Sequence, residues 1–308
     1  MKTLYEHKTK TVKKRPPKEK PKKTPWRDKA FPMLCLTPSL IGVLVFFIVP
    51  FMVIIFYSMV DNPISKDFVF LDNYAAILKN SAFKKAAVNT LKFSAVSVPL
   101  AVVLGMLLAM LLDCKIPLVS QFRASFLCPM MVPVASVVLI WQVIFHYNGT
   151  LNEIITKFGG ERIDFLKSNK AMWVIVVLFL WKNLGYNMIL FLSALNNISK
   201  DQLEVATLEG AGAWYKFVHI KLRSLSPTIL FVTILSLINS FKVFREVYLL
   251  TGDYPYDSIY MLQHFMNNTF RSLDYQKLSS AAIIMSIVII AIIGVLFIAE
   301  NKFGEDTE

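Results

Sequence analysis

Residues 278–299 read LSSAAIIMSIVIIAIIGVLFIA, an unbroken stretch without a charged side chain. A helix needs about 20 such residues to cross about 30 Å of hydrocarbon, and cores of water-soluble domains have no use for uncharged runs of that length. Working outward, five more windows appear. Ala30–Val60 carries no charge, Phe93–Leu112 follows Lys92, and Ala124–Asn152 has His146 only near its end. Ala171–Leu195 is interrupted once, by Lys182, and Leu225–Phe241 is short but continuous with polar sequence on either side. The pattern predicts an all-α integral membrane protein with six transmembrane helices. Composition agrees: 55% of residues are hydrophobic and 18% charged, against about 45–50% and about 25% in soluble domains.

The apolar run at 30–60 far exceeds the 7–15 residues of a signal-peptide core and is expected to stay as an anchor. Pro38, Pro50, Pro99, Pro129, Pro133 and Pro227 fall inside or at the ends of the windows. Membrane helices tolerate this because neighbouring helices re-satisfy the freed carbonyls.

The net charge of +12 is unevenly placed. Residues 1–29 carry 12 Lys/Arg against Glu6, Glu19 and Asp28, so the rest of the chain has a net charge of only +3. A Lys/Pro-rich tail of this kind reads as a disordered cytoplasmic segment near the membrane; no folded basic module follows, which argues against nucleic acid as a partner. With the N-terminus inside, the inner segments hold 19 Lys/Arg and the outer segments 12. The positive-inside rule then places both termini in the cytoplasm. The expected layout is a tail at 1–29, a six-helix domain at 30–300 and a short cytoplasmic tail at 301–308.

Between the fourth and fifth windows lies NNISKDQLEVATLEGAGAWYKFVHIKLRSLSPT, residues 196–228. Ser199 followed three residues later by Gln202 is a capping-box pattern, predicting a helix to about Glu209. Gly210 and Gly212 permit a sharp turn, since glycine adopts positive φ at little cost. A second helix carrying Trp214, Phe217 and Ile220 then leads into the fifth span. The expected product is a helix–turn–helix under the membrane with Glu204, Ala206 and Glu209 exposed.

This loop resembles the EAA loop of permease subunits in bacterial ATP-binding-cassette importers. Glu204, Ala206, Gly210, Ile220 and Leu222 stand at the motif spacing, with Val205 in place of the middle alanine and Arg223 in place of the closing proline. The segments NTLKFSAVSVPLAVVLGMLLAMLL (89–112), RASFLCPMMVPVASVVLIWQVIF (123–145) and VYLLTGDYP (247–255) are similar to the maltose-type and glycerol-phosphate-type sugar permeases, with Asp253 and Tyr254 departing from their glycine-rich pattern. The resemblance implies a permease subunit in the bacterial cytoplasmic membrane. It implies pairing with a second homologous permease subunit as a heterodimer, two cytoplasmic ATP-binding subunits and an extracellular sugar-binding protein. Glu204, Ala206, Glu209, Gly210, Gly212, Ile220 and Leu222 become the ATPase-coupling residues. No glycine opens a G-x-x-x-x-G-K-[ST] sequence, so ATP hydrolysis is expected on a partner and this chain is not expected to be an enzyme.

Charge inside an apolar window is costly and usually faces a bundle interior or an aqueous path. Lys92, near one end of its span, is read as snorkelling to the headgroups, and the deeper Lys182 as lining a path. The fourth window supplies Lys182, Asn183 and Tyr186 on a shared helical face, and the fifth supplies Ser236, Asn239 and Ser240. Amides, hydroxyls and an aromatic ring suit a carbohydrate, and the resemblance aligns these six positions with substrate contacts. The competing reading is that they bond helix to helix. Cys35, Cys114 and Cys128 read as buried small hydrophobes, the four histidines have no metal-binding spacing, and no cofactor is implied. An ion-coupled secondary transporter is the rival class, though it would have no use for the docking loop.

Overall fold

The computed structural model describes residues 26–304 apart from 63, 115 and 116. Among them the regular structure is helical, with one isolated antiparallel bridge between Val60 and Phe68. The chain divides into two units, residues 1–53 and 54–308. In the first, α1 (Trp26–Val43) continues through a π-helical turn, Leu44–Ile48, into α2 (Val49–Ser58), whose residues from 54 onward belong to the second unit. Helix therefore begins inside the segment expected as a tail; residues 1–25 of that expectation lie outside the described residues.

The second unit holds α3 (Asp72–Lys79), α4 (Ser81–Asp113), α5 (Val119–Met131), α6 (Val134–Phe145), α7 (Thr150–Lys157) and α8 (Ala171–Asn196). After α8 come α9 (Lys200–Leu208), α10 (Ala213–Lys216), α11 (Leu222–Ser224), α12 (Ser226–Phe241), α13 (Phe244–Thr251), α14 (Leu262–Arg271) and α15 (Tyr275–Gly304). Six stretches among the described residues are long and apolar enough to span a membrane: Leu34–Ser58, Ser81–Asp113, Val134–Lys157, Ala171–Asn196, Ser226–Thr251 and Tyr275–Lys302. The six expected spans are present, with three boundaries corrected.

The third window is broken rather than continuous. Pro133 forces Val132 into extended backbone (φ −78°, ψ 132°), as a residue before proline prefers, and α6 restarts at Val134. The fifth span does not stop at Phe241. After a break at Lys242–Val243 the helix resumes as α13 and reaches Thr251, because Val243, Glu246, Val247 and Leu250 form one buried face at helical spacing. The last helix runs past Glu300 to Gly304, into the expected tail; residues 305–308 lie outside the described residues.

The long helices α4 and α8 pack closely, and two glycines make this possible. A Cβ at Gly105 would stand 2.8 Å from the Asn187 Cβ, and one at Gly185 would collide with the Phe126 carbonyl of α5. Small residues at helix contacts let backbones approach, the usual device where no water drives apolar association. Two apolar clusters form along this axis. One joins Phe93, Val138, Ile175, Phe179 and Val247; the other joins Ala109, Met188, Phe191, Val232 and Phe241. The polar band Lys182–Asn187 of α8 falls between them.

Candidate functional site

A cavity of about 820 Å³ opens at that band, walled by α8, α12 and α13 with contributions from α5 and α14. Its polar lining includes Lys182, Asn183 and Tyr186 from α8, Asn239 from α12, and Glu246 and Tyr248 from α13. Lys242, Arg245 and Gln263 also line it, and the remainder is apolar, chiefly Leu178, Phe179, Val243 and Phe244. Asn183 Nδ2 donates to the Phe179 carbonyl at 2.8 Å, and Asn239 Nδ2 donates to Asn183 Oδ1 at 3.2 Å. These bonds fix both amides against the wall. Tyr186 is half-buried with no hydrogen bond from its hydroxyl among the described residues.

Four of the six expected pathway residues thus meet in one cavity: Lys182, Asn183, Tyr186 and Asn239. Ser236 and Ser240 do not line it. Both are buried, Ser236 Oγ accepting from Asn187 Nδ2 at 3.0 Å and Ser240 Oγ meeting Ser94 Oγ at 2.7 Å. The helix-to-helix reading fits these two, because a buried hydroxyl takes a protein partner when one is within reach. Two long polar residues on α13 lie past Phe241, where the fifth window was expected to end. Glu246, almost fully buried, pairs with Lys182 through Oε1, while Arg245 lines the cavity and is exposed. The buried spacing of Val243, Glu246, Val247 and Leu250 was the signal available.

The 199–223 loop has its own geometry. Ser199 is the N-cap of α9, but its side chain makes no capping bond, so the capping box is absent. The C-terminus is a Schellman turn: Ala211 N–H donates to the Ala206 carbonyl at 2.8 Å and Gly210 N–H to the Thr207 carbonyl at 3.1 Å. Gly210 sits at φ +82°, a conformation that L side chains rarely adopt. Gly212 has an ordinary φ of −68°, so the turn needs positive φ only at Gly210. Ala206, expected exposed, is buried as the third residue from the end of α9. Glu204 and Glu209 are exposed, and Ile220 and Leu222 half-buried.

The second arm is α10, a π-helical turn over Phe217–Lys221, and α11. Lys216 Nζ donates to Thr207 Oγ1 at 3.1 Å, tying the arms together, and Lys221 pairs with Asp113 at the end of α4 at 3.2 Å. Around the acidic residues Val205, Leu208, Trp214 and Tyr215 are all exposed, Leu208 at 89%. Large apolar side chains gathered on an exposed loop mark a contact surface. The cysteines differ from expectation too: Cys35, Cys114 and Cys128 are all free and exposed.

Residues 101–303 match the family described as binding-protein-dependent transport system inner membrane component. The chain is 29% identical over 289 residues to the trehalose/maltose transport system permease protein MalF of Thermococcus litoralis, covering 92% of this chain and 98% of that one. It is 30% identical over 244 residues to the arabinooligosaccharides transport system permease protein AraP of Bacillus subtilis, covering 74% and 76%. A bacterial alginate ABC transporter, solved with an alginate pentasaccharide-bound periplasmic protein, shares the fold with a TM-score of 0.79 at 18% identity, covering 90% of this chain and 96% of that one. With residues 101–303 of its 308 matched, the chain belongs to the binding-protein-dependent transport system inner membrane components, as a membrane permease subunit and not an enzyme.

Proposed function

We propose that this permease carries a carbohydrate through the cavity between α8, α12 and α13, in a cell membrane importer driven by separate ATP-binding subunits. The observation that carries the reading is the lining itself. Fixed amides, a phenol and a carboxylate sit beside apolar wall, which suits a ligand with many hydroxyls and faintly apolar ring faces. The sugars in the names of the trehalose/maltose and arabinooligosaccharide relatives support the same class. Lys182, Asn183, Tyr186 and Asn239 are the proposed contacts.

A homologous second permease subunit completes the path, a binding protein delivers the sugar outside, and both termini lie in the cytoplasm. Glu204, Glu209 and the exposed Leu208 and Trp214 form the proposed docking surface for an ATPase subunit. Gly210 shapes its turn, while Ala206, Ile220 and Leu222 hold the two arms. The Lys221–Asp113 pair connects that surface to α4, and α4 packs along α8, so a displacement of the loop has a direct mechanical route to the cavity wall. Nothing in the cavity needs a metal or cofactor for this task. Ion-coupled transport leaves the exposed loop surface unexplained.

The test is uptake of radiolabelled sugars by proteoliposomes holding both permease subunits and the ATPases, with loaded binding protein present. ATP-dependent uptake that is lost in Tyr186→Ala and Asn239→Ala, with the complex still assembled, supports the reading. Unchanged rates in both variants remove this cavity from the path.

A further inference from the structure

Glu246 is the one carboxylate in the cavity lining. Its residue is only 5% exposed. Oε1 is held by the Lys182 ammonium, whereas Oε2 is buried with no hydrogen-bond partner among the described residues. An ion pair removed from water is worth having only when its remaining lone pairs are also satisfied. Leaving a buried acceptor unmade costs about 1–3 kcal/mol and more for a charged group, so a buried, unpartnered oxygen on a residue that lines a cavity of about 820 Å³ calls for a donor that comes and goes.

We infer that Glu246 is a specificity-determining residue of the transport path, its free Oε2 accepting hydroxyl hydrogen bonds from a neutral saccharide while Lys182 fixes the other oxygen. This rests on the carbohydrate reading above. A hydroxyl offers the missing donor, and a hydroxyl bonded to a carboxylate is about twice as strong as a neutral pair. An anionic sugar fits worse. It would set a second negative charge against Oε2 and compete for a lysine already engaged. Lys242 and Arg245 also line the cavity, but both are exposed, where water and salt screen them. The Asn183 and Asn239 amides stand on the facing helices to take further hydroxyls, so configuration at adjacent sugar carbons is what the site can read.

The experiment uses the complete transporter with loaded binding protein at saturation, so that capture by that protein does not mask the membrane step. Maltotriose, cellotriose and xylotriose serve as neutral probes, trigalacturonate and glucose 6-phosphate as acidic ones. The readouts are the maximal uptake rate and the ratio of rates between two neutral probes. Glu246→Gln keeps the volume and is expected to lower the rate for the preferred neutral probe at least tenfold and to change that ratio at least threefold. Lys182→Met with Glu246→Leu replaces the pair by apolar bulk, which a purely structural pair tolerates; it is expected to assemble yet not to regain the wild-type ratio. Wild-type rate and ratio in the double variant overturn the inference and remove Lys182 from the proposed contacts, while leaving the carbohydrate class intact. Preference of the wild type for the acidic probes overturns the neutral class. Uptake by the wild type of non-sugar solutes alone overturns the carbohydrate reading itself.

Discussion

Asn187 donates to Ser236 Oγ at 3.0 Å across the contact of α8 with α12, and both side chains are buried. The serine is occupied by the protein and has no face on the cavity. Ser236→Ala should therefore cost about 1 kcal/mol or less, the usual value of a hydrogen bond between membrane helices. Sugar preference should stay as in wild type. Thermal unfolding of the purified complex and a comparison of uptake rates between two sugars check both halves. A changed preference would place Ser236 in the path after all.

The glycines of the loop separate geometry from motif. Gly210 has φ +82° with open space around it, so a side chain there is strained by the backbone and not by a clash. Gly210→Val should open the Schellman turn, leaving the protein in the membrane but with transport reduced at least tenfold. Gly212→Ala should be tolerated, because its φ is ordinary and nothing lies within 4 Å of the added Cβ. Pull-down of the ATPase subunits distinguishes a docking defect from a folding one: Gly210→Val should recover less ATPase, Gly212→Ala as much as wild type.

The fold was legible because its signal is apolar length with little or no charge, which six spans satisfy regardless of partner or ligand. Local backbone was legible where one residue type has one solution, as at Gly210. What resisted reading was depth. Glu246 lies beyond Lys242 and Arg245, so a charge-based window ends at Phe241, although the helix needs only a short break before α13 resumes. Ser236 and Asn239 share a face by spacing, yet only tertiary packing gives one to Asn187 and the other to the cavity. Ala206 likewise reads as exposed from spacing, but the turn takes its carbonyl into a bond with the Ala211 N–H and leaves the residue buried.

Close packing of α4, α5 and α8 makes a sharper prediction. Gly185→Val places its branched carbon on the Phe126 carbonyl, a backbone atom that cannot swing aside. The variant should fail to accumulate as a folded membrane protein, since overpacking against backbone has no cheap escape. Gly294→Ala, with nothing within 4 Å, should accumulate normally. Size-exclusion profiles in detergent read the difference.

His264 supplies a pH dependence. It is fully buried at the start of α14 against Phe244, with Nε2 lacking a partner, and burial pushes its pKa down to about 4 while Asp253 partly opposes the shift. The unfolded imidazole titrates near 6.5, so above that pH both states are neutral and the residue adds no dependence. Between about 6.5 and about 4 only the unfolded state takes the proton, and stability falls as the medium becomes acid, by up to about 3 kcal/mol. Thermal unfolding at pH 7 and pH 4.5 should show this loss, and His264→Gln should shrink it. An equal loss in the variant assigns the acid sensitivity to other groups.

The side of the membrane on which the loop lies can be read at Leu208, whose side chain is 89% exposed. Since Cys35, Cys114 and Cys128 are themselves exposed, the test needs a background in which all three are serine. In that background Leu208→Cys should resist a membrane-impermeant maleimide added to intact cells and react in inside-out vesicles. Washing the ATPase subunits from those vesicles should raise labelling further, because the proposed docking surface covers this position. Adding them back should lower it again. Labelling in intact cells would invert the topology, carrying both termini and the coupling loop to the outer face and separating the loop from any cytoplasmic ATPase. Labelling in vesicles that ignores the ATPase subunits would keep the topology but move the docking contact away from the tip of α9.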